Sequence, residues 1–366
     1  MPAATRITHI IVRLSTGGAE KSLYRLLRHT RDEFLHEVIC FGQPTAIGHD
    51  IEALGIKVHW LNERRAGPLV LWQAWRILRA NPPHILQGWM YYGNLLASLL
   101  GRCLSASTRV AWNIRQAPAD FRREKARTRW AMAWGRAPWL APDLVIYNSH
   151  AGQRVHLALG YNNYPHTVIE NGIDLDEFTP DAKVRDQVRA AWDIGAESWV
   201  AMVCRYHPLK GVGEYLAAVR SLLDAGCRAR FALAGSGMRA DNAELAGLML
   251  QHGLDETEIA LLGEIASPAD FLPALDVLVQ ASWREGTPNI LLEAMACGVL
   301  TIATRVGDSE HIIGDAARLV SPGDSQALAA AIAAALAAAP ADAECGGGAR
   351  QQHRVDTERA FLRAHY

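Results

Sequence analysis

The chain has 366 residues, half of them hydrophobic and a fifth charged, which is too long for one ordinary domain and suits two of roughly 150 to 180 residues that each bury a core. A formal net charge of −1 gives no global attraction to nucleic acid or to an anionic surface. Cys40, Cys103, Cys204, Cys227, Cys297 and Cys345 are scattered without metal-ligand spacing, which argues against a disulfide framework or a zinc module and fits a reduced, cytoplasmic compartment.

The chain opens MPAATRITHIIVRLSTGG. Its apolar run (Ile7, Ile10, Ile11, Val12) is broken by Thr8 and His9 and is too short for a signal sequence. No stretch reaches the about 20 apolar residues that span a bilayer; Ala327–Ala339 is a run of good helix formers, too short to span. Strand-like runs alternate with amphipathic helices, the pattern of parallel α/β sheets. In the first half they are Ile7–Val12, Glu37–Phe41, Ile85–Gln87, Arg109–Trp112, Leu144–Tyr147 and Val168–Glu170. In the second they are Trp199–Val203, Arg230–Ala234, Ile259–Leu262, Val277–Gln280 and Leu300–Ala303. Runs such as LVIY and VLVQ suit sheets covered on both faces. The break between halves lies near Asn171–Val188, where NGID is followed by Pro180 and a run of charge. The expected domains are therefore 1–175 and 176–340, with a tail at 341–366 that interrupts helix at CGGG and is expected to cross back to the first domain. Two doubly wound halves place a ligand cleft at the carboxyl ends of their strands.

The most informative stretch is Trp283–Gly298, WREGTPNILLEAMACG. Thr287 can cap the helix that follows VLVQ, and Pro288 suits its first position. Ile290, Leu291, Ala294 and Met295 form an apolar face, and Gly298 suits the stop. A helix N-terminus at the mouth of a sheet offers free N–H groups and partial positive charge, a seat for phosphate. Gly286 lets backbone approach a ligand. Glu285 stands before this helix and Glu293 within it. Carboxylates repel a diphosphate but accept hydrogen bonds from hydroxyls, so two of them flanking a phosphate seat suggest a sugar at each end of a diphosphate. A solvated loop carboxylate and a helix-surface carboxylate satisfy the spacing equally well. Gly17 and Gly18 sit between the first strand and the first helix, either as a tight turn or facing a phosphate; Gly235 and Gly237 read the same way.

EGTPNILLEAMACG resembles the E-x7-E signature of retaining GT-B glycosyltransferases of family 4, also called group 1. STGGAEKSL, VIENGIDLDEFTP, VCRYHPLKGVGEYLAAV, LAGSG and TRVGDSEHII resemble other segments of that family in the expected order, so the resemblance covers about residues 7 to 325. It implies an α/β, GT-B architecture: two Rossmann-like doubly wound parallel-sheet domains facing each other across a cleft. It implies a nucleotide-sugar donor bound by the second domain and a glycan or lipid-linked acceptor bound by the first. In this reading Arg205 and Lys210 hold the diphosphate, Glu285 orients the transferred hexose and Glu293 the ribose. Asn289, Ile290, Thr287 and Gly286 would line the donor site, and the Gly263, Glu264, Ile265 loop would contact the base. Physical chemistry does not choose UDP from GDP there; UDP is the expectation adopted. With two cations at the phosphates no metal is expected, and no cofactor.

Many relatives place a histidine near the cleft from the first domain, and the corresponding LQGWMYYGN and VAWNIRQAP here carry none. Trp89, Tyr92, Asn113 and Arg115 are the acceptor-side candidates in its place, against the alternative that they pack or pair internally. Residues 121–142 place Arg122, Arg123, Lys125, Arg127, Arg129 and Arg136 against Glu124 alone, interleaved with Trp130, Trp134 and Trp139. Such a segment can rest on an anionic membrane face or bury its tryptophans in the domain; nucleic acid is not expected. The rival functions are a GT-B nucleotide-sugar epimerase and a non-catalytic scaffold of a polysaccharide assembly complex.

Overall fold

The computed structural model describes residues 4–15, 17–61, 67–118, 125–338, 356, 359–360 and 362–363. Thr16 of the STGG turn, residues 121–124 of the basic segment, and residues 341–355 of the tail with its CGGG run lie outside the described residues. The chain divides into two compact units between Glu170 and Asn171.

The first unit runs β1 (Arg6–Ile11), α1 (Gly18–Thr30), β2 (Leu35–Cys40), α2 (Ala46–Ala53), β3 (Lys57–Trp60), α3 (Pro68–Ala80), β4 (Ile85–Trp89), α4 (Met90–Gly101), β5 (Arg109–Ile114), α5 (Ala126–Trp134), β6 (Leu144–Tyr147), α6 (His150–His156) and β7 (His166–Val168). Among the described residues its strands form one parallel sheet in the order β3-β2-β1-β4-β5-β6-β7. Ile10 of β1 pairs with Ile39 on one side and Gly88 on the other. Right-handed crossovers put α1 and α2 on one face and α3 onward on the opposite face, because the direction of travel along the sheet reverses after β3. The two cores follow this division. Leu23, Leu27 and Ile51 pack with Val38 and Cys40, whereas Val70, Ala74, Leu78, Ala97 and Met132 pack with Ile10 and Ile39. α4 lies close on the sheet: a Cβ added at Gly93 would come within 2.6 Å of the Ile10 carbonyl oxygen.

The second unit runs α7 (Ala182–Ala191), β8 (Trp199–Val203), α8 (Val212–Asp224), β9 (Arg230–Ala234), α9 (Ala243–Gln251), β10 (Ile259–Gly263), β11 (Val277–Gln280), α10 (Asn289–Ala296), β12 (Leu300–Thr304), α11 (Ser309–Ile313), β13 (Leu319–Val320) and α12 (Ser325–Ala338). Its parallel sheet has the order β10-β9-β8-β11-β12-β13. Val200, Ala201 and Met202 of β8 meet Val277, Leu278 and Val279 of β11, so apolar runs meet at the sheet centre. α8, α9 and α12 cover one face and α10 and α11 the other. At the edge where β11 begins, Asp276 accepts from Arg185 Nη2 (2.7 Å), Arg189 Nη1 (3.2 Å) and the Trp199 N–H (2.7 Å), clipping α7 to the sheet. In the tail, Arg359 donates to the carbonyls of Leu175, Phe178 and Ala296, and Leu362 is buried in the core of this unit.

Three local expectations differ from the structure. β3 (KVHW) and β13 (LV) did not stand out in the sequence, being short and partly polar. α10 starts at Asn289 and not at Pro288, because Pro288 holds ψ at 93°, outside the helical region; Thr287 is therefore not its N-cap. The strand before NGID is His166–Val168, ahead of the Val168–Glu170 run.

Candidate functional site

In each sheet the chain order reverses once, between β1 and β4 and between β8 and β11. Loops leaving the carboxyl ends of two strands diverge at such a point and open a crevice, where doubly wound sheets bind ligands. The loops after β8 and β11 carry the expected donor residues.

The loop after β8 continues CRYHPLKG. His207 caps its short turn by accepting from the Leu209 N–H, and Gly211 enters α8 at φ 73°. The adjoining loop after β11 reads ASWREGTP. The Trp283 N–H donates to the Leu209 carbonyl at 2.9 Å, and the Trp283 indole N–H reaches Glu214 at 3.0 Å. Across this joint Lys210 Nζ lies 2.5 Å from Glu285 Oε1, both half-sheltered at 24% and 15% side-chain exposure. Glu285 Oε1 also accepts from Ser282 Oγ at 2.7 Å and lies 3.5 Å from Gln280 Nε2. Arg205 is exposed and has no hydrogen bond or ion pair among the described residues. Its neighbour Cys204 has its thiol pushed up to about 12 by burial, with Lys210 and Glu285 pulling in opposite directions.

The remaining loops of this edge lock onto the same two. Gly235 adopts φ 126°, and a Cβ there would collide with the Cys204 carbonyl, so only glycine lets the loop after β9 close on the loop after β8. The Gly235 N–H donates to Gly263 at 2.6 Å, which brings the start of the Gly263, Glu264, Ile265 loop alongside. Glu264 is exposed, and Ile265 packs partly into the core. The Gly286 carbonyl accepts from the Asp308 N–H at 2.9 Å, and Thr287 is half-buried. Asn289 accepts from Asn171 at 2.5 Å. Ile290 packs against the core, and Glu293 faces inward from α10 at 8% exposure. Beside it the Cys297 thiol is pushed up to about 12, first by burial and then by Glu293. Glu310 lies on the surface, 73% exposed and paired with Arg305.

In the first unit Gly17 is the N-cap of α1 and Gly18 its first residue. Arg115, leaving β5, donates to Ser22 Oγ of the second turn of α1 at 2.7 Å and stacks over the Trp89 ring at 5.6 Å. Its depressed pKa, about 10 through burial, still leaves it cationic at neutral pH. Two acceptor-side expectations need correcting. Trp89 is 1% exposed at the end of the central strand β4, with its indole N–H on His9 Nδ1 at 3.2 Å, so its faces are not available to stack on a sugar. Asn113 is 4% exposed and its side-chain oxygen lies 3.4 Å from Arg115 Nη1, so it is interior as well. Tyr92 packs on the core, its hydroxyl buried without a hydrogen bond among the described residues.

The Trp89 contact belongs to a longer buried chain that sequence reading missed. His9 Nε2 meets His36 Nδ1 at 3.1 Å, His36 Nε2 meets Thr30 Oγ1 at 2.9 Å, and Thr30 Oγ1 donates to the Leu26 carbonyl. An indole only donates, so His9 must accept at Nδ1 and carry its proton on Nε2; His36 then carries its own on Nε2. Both rings are neutral: burial, followed by His36, holds His9 down at about 3, and burial lowers His36. A third neutral histidine, His156, meets the Tyr91 hydroxyl at 2.8 Å and the Gly152 carbonyl at 2.7 Å, and burial holds it at about 4.

On the outer surface of this unit Trp130, Trp134 and Trp139 are 56%, 41% and 48% exposed. Their rings form a ladder with centroids 5.3 and 5.6 Å apart. The tryptophans of this basic segment are therefore not buried in the domain.

Comparison with known proteins assigns both units. Residues 16–177 match the family described as Glycosyltransferase Family 4, and residues 197–338 match Glycosyl transferases group 1. The chain belongs to the family 4, group 1 glycosyltransferases. Among relatives of this glycosyltransferase, the O-antigen chain mannosyltransferase B of Escherichia coli is 29% identical over 151 residues, which are 40% of this chain and 38% of that protein. The lipopolysaccharide core biosynthesis mannosyltransferase LpsB of Rhizobium meliloti (strain 1021) is 30% identical over 158 residues, 42% of this chain and 44% of that one. The matches thus span less than half the length of these relatives. The crystal structure of Anabaena Alr3699/HepE in complex with UDP and glucose superposes with a TM-score of 0.81 at 19% identity, over 99% of this chain and 95% of that one. At that identity the likeness establishes the GT-B type of fold.

Two residues at the site were not anticipated: Ser282 and Gln280, which share Glu285 Oε1 with Lys210. The available signal was position, since Gln280 ends VLVQ and Ser282 lies in the loop just ahead of Glu285.

Proposed function

We propose that this glycosyltransferase moves a hexosyl unit from a nucleotide sugar, UDP-linked in preference to GDP-linked, to a glycan or lipid-linked saccharide acceptor, with retention at the anomeric carbon and without a metal. The observation that carries the reading is the convergence of Lys210 and Glu285 at the β8/β11 reversal, beside the N-terminus of α10. A cation and a carboxylate on one ligand edge suit the two ends of a sugar diphosphate. Lys210 and the exposed Arg205 stabilise the diphosphate as its bond to the sugar breaks and charge grows on the leaving oxygen. Glu285 accepts from hydroxyls of the hexose and Glu293 from the ribose. The acceptor oxygen bonds to the anomeric carbon on the face the diphosphate leaves, and its proton passes to a phosphate oxygen of the leaving group. The enzyme's contribution is then orientation and electrostatics.

Calorimetry with UDP and with GDP, in EDTA, on wild type and Lys210→Ala tests this. The expected result is micromolar binding of one nucleotide, UDP by preference, weakened about ten- to a hundredfold in the variant. A folded protein that binds neither contradicts the reading and favours a scaffold. Anomeric proton NMR of the product separates retention from inversion, and turnover in EDTA tests the metal.

The tryptophan ladder and its flanking arginines support seating of the first unit on an anionic leaflet, where lipid-linked acceptors reside. No helix among the described residues is long and apolar enough to cross a membrane. Co-sedimentation with phosphatidylglycerol vesicles, weakened in Trp130→Ser/Trp134→Ser and absent with phosphatidylcholine alone, is the expected outcome.

A further inference from the structure

Lys210 and Glu285 neutralise one another in this structure, yet the transfer reading asks each for a separate task. When Lys210 turns to a diphosphate, Glu285 loses its 2.5 Å partner and needs something else to hold its carboxylate toward the sugar. Ser282 is placed for that. Its hydroxyl donates to Glu285 Oε1 at 2.7 Å, and it is 1% exposed. Its backbone is fixed from two directions. Thr304 Oγ1 donates to the Ser282 carbonyl at 2.6 Å, and the next residue, Trp283, donates through its N–H to Leu209. Gln280, 4% exposed, backs the same oxygen at 3.5 Å. The donors all gather on Oε1; Oε2 receives no hydrogen bond from the described residues.

We propose that Ser282 is a positioning residue that anchors Oε1 of Glu285, so that Oε2 is the oxygen presented to the hydroxyls of the transferred sugar. The inference rests on the nucleotide-sugar reading above. The anchor acts on the sugar half of the donor only. The diphosphate is held by Lys210 and Arg205, neither of which hydrogen-bonds to Ser282 among the described residues.

The sugar increment, the ratio of nucleotide-sugar to bare-diphosphate affinity, isolates this role. It is measured by calorimetry with UDP and UDP-glucose, and with GDP and GDP-mannose, on wild type, Ser282→Ala, and the isosteric pair Ser282→Thr and Ser282→Val. Ser282→Ala and Ser282→Val are expected to bind the diphosphate within about twofold of wild type and the nucleotide sugar about tenfold more weakly, the size of one charge-assisted hydrogen bond. Ser282→Thr restores the increment because it keeps the hydroxyl. An unchanged increment in both hydroxyl-free variants, or an equal loss of diphosphate and sugar affinity, overturns the anchoring role while leaving the donor site standing. Failure of Ser282→Thr and Ser282→Val to differ overturns it too, even if Ser282→Ala does not fold. Wild type that binds no diphosphate removes the nucleotide-sugar reading and the anchor together.

Discussion

Lowering the pH from 7 to 5 tests the buried histidines of the first unit. His9 and His156 are fully buried and neutral, held at about 3 and about 4 against an ordinary value of 6.5. A depressed folded-state pKa means that the unfolded chain takes up the proton first. Their contribution to stability is complete above 6.5 and declines as the pH falls, until about 3 for His9 and about 4 for His156. At about 1.4 kcal/mol per pH unit, each histidine removes about 2 kcal/mol between pH 7 and 5, and the two together about 4 kcal/mol. Domains are stable by only about 5–15 kcal/mol, so the loss is a large fraction of what holds the unit. The geometry explains why the cost cannot be relaxed away at His9. A second ring proton would sit on Nδ1, facing the indole N–H of Trp89, donor against donor. Urea unfolding followed by tryptophan fluorescence at pH 7 and 5, on wild type and His9→Gln, measures it. The variant is expected to lose about 2 kcal/mol less than wild type over that interval. Equal losses would show that His9 does not carry the pH dependence, and the assignment of neutral tautomers along the chain would fall.

Other perturbations have equally definite outcomes. Lys210→Ala should weaken nucleotide diphosphate binding by ten- to a hundredfold, from one charge-assisted contact of about 1.5–3 kcal/mol, with circular dichroism unchanged. Asp276→Ala strands two arginines at the edge of the second sheet, Arg189 being nearly buried. Thermal unfolding should register a loss of about 3–5 kcal/mol. Gly93→Ala forces a Cβ against the Ile10 carbonyl and should cost about 1–3 kcal/mol by urea titration; an unaltered midpoint would mean that α4 lifts freely from the sheet. Glu285→Gln keeps diphosphate binding and should lower turnover by at least a hundredfold, because the neutral amide accepts hydroxyl protons less well than the carboxylate.

The sheets were legible in the sequence where strands are apolar on both faces, as in LVIY and VLVQ. KVHW and LV escaped because edge strands need bury less and carry too few residues for a period to show. The grouping of Arg205, Lys210 and Glu285 in one site followed from resemblance; the structure pairs Lys210 with Glu285 and leaves Arg205 exposed on the loop after β8. Trp89 escaped because an aromatic residue closing a strand reads alike whether its ring lies inside or out. Its place in a central strand, with its indole N–H on His9 of the neighbouring strand, decides for the interior. The histidine chain had no linear signature: His9 and His36 lie 27 residues apart and meet only through the β1/β2 register.

The joint between the loops after β8 and β11 has a further consequence. Trp283 belongs to one loop and is bonded by its backbone to Leu209 of the other, and by its indole to Glu214 in the first turn of α8, which that other loop enters. The two loops therefore have little conformational freedom left to surrender when a ligand arrives. An incoming ligand meets a seat already ordered by folding, and more of its contact energy appears as affinity. Loosening that joint alone should weaken binding through entropy, with every ligand-facing side chain still in place.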